Sequence, residues 1–172
     1  EGRAYVAAEA VGLRVVDVSQ PSQPTELGSV RGEGRFTAVA ARPPYAYLAD
    51  QNATLSVADV SDPHAPRLVY SLDNGSTVLD LAVEGDRLYL ATTRGLQVFS
   101  LADPAQPVEV GRYPQDARYS LYSLALADGW VFVGHYQTGV EEFRVDAQGQ
   151  PTPVCPTCPS PYPDTSRANV VA

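Results

Sequence analysis

Twelve basic residues stand against twenty acidic ones, and all twelve are Arg; the 172-residue chain has no Lys and no Met. The formal charge of −8 leaves no basic face of the kind that attracts nucleic acid. Two His and two Cys are too few for a recurrent metal or haem chemistry. No apolar run approaches the roughly 20 residues of a membrane-spanning helix. A chain without an initiator Met points to processing or cutting, and a removed signal peptide would account for it. Hydrophobic residues nevertheless make up 44% of the chain, enough for a folded core rather than a disordered segment. The length suits one compact domain.

What is present is repetition. "LRVVDVSQPSQP" from Leu13 returns as "LSVADVSDPHAP" from Leu55 and "LQVFSLADPAQP" from Leu96, at steps of 42 and 41. A second marker agrees: "YVA" at Tyr5, "YLA" at Tyr47 and Tyr89, and "FVG" at Phe132. A divergent fourth copy runs from Gly139 as "GVEEFRVDAQGQP". Each period reads as four short strands rich in Val, Leu, Tyr and Phe, with no helical period sustained over ten residues. Pro43-Pro44, Gly85-Asp86 and Asp128-Gly129 are hairpin residues between the first two strands of a copy. In "LRVVDV" apolar residues fall on both faces, the pattern of a sheet covered on both sides. Stacked four-strand units of this period are expected to form a β-propeller of about four antiparallel blades.

The third strand should stop where Asp17, Asp59 and Ser100 can accept hydrogen bonds from backbone N–H groups just ahead. Pro21, Pro63 and Pro104 then prevent its continuation. Pro24, Pro66 and Pro107 open the outermost strand, an edge where proline is tolerated and discourages pairing. A metal site in each copy is the rival reading of these Asp residues, but no second carboxylate recurs with them.

Gly-Leu, a Val-rich strand and Asp-Val-Ser-x-Pro-x-x-Pro together resemble the LVIVD repeat of bacterial and archaeal surface propellers. The resemblance covers roughly residues 3 to 153. It is close at Leu13 and Leu55, fair at Leu96 and weak in the fourth copy, where Arg144 and Asp146 depart from the pattern. It implies an extracytoplasmic propeller and brings no catalytic residues with it.

The copies divide as about 3–35 plus 167–172, 36–75, 76–115 and 116–166, within a single propeller domain 1–172. The first copy lacks its innermost strand, and "NVVA" (Asn169, Val170, Val171, Ala172) has the character of one. It is expected to complete the first blade. The alternatives are that it enters a neighbouring molecule, or that the chain is a fragment of a longer propeller.

Cys155 and Cys158 form a CxxC in a segment carrying Pro151, Pro153, Pro156, Pro159, Pro161 and Pro163. A local disulfide is expected, with interchain bridging or metal binding as alternatives; one CxxC offers half of a zinc site. The loops at one end of the strands gather Arg31, Arg35, Gln51, Asn52, Arg94, Asp116, Arg118, Tyr119, His135 and Tyr136. They form a candidate protein-recognition face, with a plain solvated rim as the alternative. Thr37, Asp80 and Ser123 fall on inner strands facing a central channel. "NAT" at Asn52 and "NGS" at Asn74 are glycosylation sequons in expected turns.

No Ser, His or Cys context assembles a nucleophile with its base, and no phosphate-binding loop is present. The expectation is therefore a non-catalytic, cofactor-free extracellular or cell-surface subunit, with the periplasm as a further location. It would bind a protein partner or copies of itself. The rival is a ligand-binding or enzymatic propeller using its central channel.

Overall fold

The computed structural model describes residues 2–114, 121–135 and 139–154. Among them every regular element is a β-strand. The chain groups into two compact units, Glu1–Gly75 and Ser76–Ala172. The boundary falls between the second and third copies.

In the first unit, β1 (Arg3–Ala7), β2 (Leu13–Asp17) and β3 (Thr25–Val30) form a three-stranded sheet. β4 (Phe36–Arg42), β5 (Tyr45–Asp50), β6 (Thr54–Asp59) and β7 (Arg67–Asp73) form a four-stranded one. In the second unit, β8 (Val78–Glu84), β9 (Arg87–Thr92), β10 (Gly95–Ser100) and β11 (Val108–Pro114) make one four-stranded sheet. β12 (Leu121–Ala127), β13 (Trp130–His135), β14 (Gly139–Val145) and β15 (Pro151–Pro153) make the other. All pairs are antiparallel and join sequence neighbours, the arrangement that short hairpin links between β-branched runs produce.

Register repeats between the sheets with two regular interruptions. Each described innermost strand carries a bulge near its start, after Phe36, Val78 and Leu121. Sheets one to three carry a second at the start of the outermost strand, opposite Val15/Val16, Val57/Ala58 and Val98/Phe99. A bulge adds one residue and sharpens local twist, so both ends of these sheets are re-aimed in the same way.

Each unit has its own core. Leu13 and Val15 of the first sheet pack with Phe36, Ala46, Leu48 and Ala58 of the second. In the second unit, Tyr89, Ala91, Leu96 and Val98 pack with Leu124, Val131, Val133 and Phe143. Phe143 is fully buried and meets Tyr113 edge-on at 5.0 Å. Burying a side chain of this class stabilises by roughly 1.5–3 kcal/mol.

The corner after the third strand forms as its residues dictate. Asp17 Oδ1 accepts from Ser19 N at 2.8 Å, Asp59 Oδ1 from Ser61 N at 3.0 Å, and Ser100 Oγ from Ala102 N at 3.2 Å. The next residue of each corner donates back to the preceding hairpin: Val18 N to Gly2 O, Val60 N to Pro44 O, Leu101 N to Asp86 O. Hydrogen bonds from Ser61, and then from Arg67, hold the Asp59 carboxyl at about 2.

Within each unit the outermost strand of one sheet meets the last turn of the next. A Cβ on Gly28 would stand 2.6 Å from Pro63 O, and one on Gly111 would stand 2.0 Å from Gly149 O. A side chain from the same turn closes each contact: His64 Nδ1 lies 3.2 Å from Leu27 O, and Gln150 Nε2 donates to Arg112 O at 2.8 Å.

Candidate functional site

In the first unit the loop 31–35 and the turn 51–53 meet at Asp50. The loop reads Arg-Gly-Glu-Gly-Arg, and a Cβ on Gly34 would fall 1.9 Å from the Asp50 carboxylate. Asp50 is 3% exposed, and its Oδ1 accepts from Asn52 N at 2.8 Å and Thr54 N at 3.0 Å. The buried carboxylate thus fixes the tight turn that presents Asn52. Arg31, Arg35 and Asn52 are all exposed, and Arg35 pairs with Glu9 of the β1–β2 turn. The structure therefore gathers these three expected face residues at one end of this unit.

In the second unit Thr92 occupies the register position of Asp50. Its hydroxyl accepts from Arg94 N at 3.1 Å and donates to Gly95 O at 2.7 Å. Arg94 is exposed beyond it. His135 holds the same position in the fourth sheet. It is 2% exposed, and its Nε2 lies 3.1 Å from Glu141 Oε2. The ring is therefore not presented to solvent, which corrects its place on the recognition face: strand pairing with Gly139 turns it inward. Among the described residues its Nδ1 meets no hydrogen-bonding partner. Asp116, Arg118, Tyr119 and Tyr136 lie outside the described residues. So do Cys155 and Cys158, and so does the strand expected at Asn169, Val170, Val171 and Ala172.

Asp80 on β8 is half-buried and accepts two backbone N–H groups, from Leu81 at 2.9 Å and from Leu124 on β12 at 2.8 Å. Burial raises its pKa, partly offset by those two hydrogen bonds. Oδ2 joins two inner strands, and Oδ1 is engaged by the next residue of its own strand. Thr37 donates weakly to Ala49 O at 3.4 Å, within its own sheet. Among the described residues no group of three or more His, Cys, Asp or Glu is placed to hold a metal ion, and no helix is long and apolar enough to cross a membrane.

In the fourth sheet the Arg144 guanidinium sits 3.5 Å from the Trp130 ring centroid, and Trp130 stacks near Phe132 at 6.5 Å. Arg144 stands where the other sheets have Asp17, Asp59 and Ser100, and the side-chain cap of this corner comes two residues later, where Asp146 Oδ1 accepts from Gln150 N at 2.8 Å. The departure from the repeat pattern at Arg144 was visible in the sequence; its partner was not.

Antiparallel four-stranded sheets in sequence order, repeated every 41–43 residues, define a repeat protein of the β-propeller class. The sequence profile of the LVIVD repeat matches residues 1–31, 34–74 and 75–115. The chain belongs to the LVIVD-repeat family. No curated protein matches it. Among solved structures it is similar to the crystal structure of the computationally designed Ika8 protein, with a TM-score of 0.70 and 15% identity. The alignment covers 90% of this chain and 46% of the designed one. The chain therefore spans less than half the length of that protein, and the likeness is one of fold.

Proposed function

We propose that this chain is a non-catalytic extracellular or cell-surface subunit for protein interaction, assembling by exchange of a terminal strand between copies. The observation that carries the proposal is the edge of β1. Among the described residues β1 is paired along its length with β2 alone, whereas β5, β9 and β13 each lie between two strands. An unpaired edge is a template for another strand. Residues 169–172 of a second copy, whose Asn-Val-Val-Ala parallels an inner strand, are the proposed occupant. Arg31, Arg35, Asn52 and Arg94 supply an exposed polar face for a protein partner. A Cys155–Cys158 disulfide would suit the oxidising compartment this reading requires.

The rival reading, a catalytic or ligand-binding channel, draws on Asp80. Two backbone N–H groups on its carboxylate support a structural role instead. Light scattering on the full chain and on a chain ending at residue 166 tests the exchange. The full chain is expected to assemble and the shortened one to be a folded monomer. Equal masses for the two would overturn it. Fractionation of the native host tests the location separately.

A further inference from the structure

The chain holds two Asn-x-Ser/Thr triplets, Asn52-Ala53-Thr54 and Asn74-Gly75-Ser76. Sequence gives them equal standing as acceptors for N-linked glycan. The structure separates them. Asn74 is 4% exposed and Ser76 5% exposed. The Asn74 backbone N–H is bonded to Ala53 O at 3.0 Å, and the Ser76 hydroxyl lies 3.3 Å from Thr93 Oγ1. A sugar on Asn74 would have to leave with the side chain from a buried seat. Asn52 is exposed at the tip of the β5–β6 turn, with Gln51 exposed beside it. Its backbone is held from below by Asp50, so its side-chain amide is not needed to hold the turn. Ala53 takes φ +63° at the tip, which directs the chain sharply back into β6.

We infer that Asn52 is an N-glycan acceptor of the folded protein and that Asn74 is not. The co-substrate is a polyprenyl-diphosphate-linked oligosaccharide. A bond forms between Asn52 Nδ2 and the anomeric carbon, the carbon–oxygen bond to the diphosphate breaks, and the lipid diphosphate leaves with the electron pair. One amide proton passes to the transferase's base. The glycan would stand over the end of the first unit that carries Arg31 and Arg35, and would narrow the set of partners able to reach it. Its occurrence in the native host rests on the extracellular reading proposed above; the acceptor property itself does not.

The test is secretion of the full chain from a mammalian cell line, with intact mass before and after peptide-N-glycosidase treatment. One glycan per chain is expected, lost in Asn52→Gln and in Thr54→Val and unchanged in Asn74→Gln. The Thr54→Val variant leaves Asn52 in place and removes only the hydroxyl the transferase reads. A secreted, folded chain with bare Asn52, or a glycan on Asn74 in folded material, overturns the inference. Because the host cell imposes the route of export, a negative result bears on Asn52 alone. Finding the natural protein inside its cells would instead bear on the location alone.

Discussion

The Asp80 carboxylate on β8 accepts the backbone N–H of Leu124 on β12 at 2.8 Å, joining the innermost strands of two successive sheets. Asp80→Ala leaves that N–H without its acceptor. We expect a loss of about 1–3 kcal/mol, read by urea unfolding. Asp80→Asn keeps an oxygen for Leu124 but sets its NH2 against the Leu81 N–H, so at pH 7 it should lie between the native chain and Asp80→Ala.

The same residue has a pH signature. Its folded pKa is raised above the ordinary 3.8, so the folded state holds the proton more tightly than the unfolded state. Its contribution to stability is full below 3.8 and is lost as pH rises through the raised value. The stability of the native chain relative to Asp80→Asn should therefore decline on going from pH 3.5 upward and then level off. A flat difference across that range would contradict the assignment.

Asp59 carries the opposite sign. Its pKa is lowered to about 2, first by hydrogen bonds from Ser61 and then by Arg67. Its contribution is present above 3.8 and lost as pH falls toward about 2. Asp59→Ala should cost about 1 kcal/mol at pH 7, the usual size of one such bond. The cost should shrink in acid unfolding curves as the pH falls below 3.8 and be lost only below about 2.

Gly28 and Gly111 occupy the same place in the first and third sheets, each against backbone of the following turn. Gly28→Ala and Gly111→Ala should each destabilise by about 1–3 kcal/mol through overpacking, measured by thermal or urea unfolding. A side chain tolerated at either position would mean that the turn can give way.

The two histidines should differ in reactivity. His64 is exposed and His135 is 2% exposed. Diethyl pyrocarbonate is expected to modify one His in the native chain and two after denaturation, with His64→Gln abolishing the native reaction. Rapid modification of His135 in the folded protein would refute its burial.

The strand order and the corners were legible because both depend on local signals. Asp17, Asp59 and Ser100 reach N–H groups only two residues ahead, and a repeat shows such a contact three times over. The bulges after Phe36, Val78 and Leu121 were not legible: an added residue shifts register without changing composition. Gly28 and Gly111 read as ordinary strand residues, since what excludes a side chain there is the turn of another sheet. His135 was read as a loop residue because polar residues at strand ends usually face water. Its register match to Asp50 and Thr92, both buried, is the signal that could have placed it. Arg31, Arg35 and Asn52 are exposed on a loop and a turn that meet at a buried Asp50, which nothing in the loop composition announced.

Every described strand within a sheet pairs only with its neighbours in the chain, and the corners at Asp17, Asp59 and Ser100 are tied by residues two apart. Such contacts close short loops, so the topology has low contact order within each sheet and little entropy is lost before the first bonds form. A nascent chain could therefore complete each sheet soon after its fourth strand emerges, from the second copy onward. The first sheet is the exception, since among the described residues β1 has β2 as its one partner. Under the proposed exchange, β1 would be made before the other described strands and yet be the last of them to reach its final pairing, and its maturation would depend on concentration rather than on time alone.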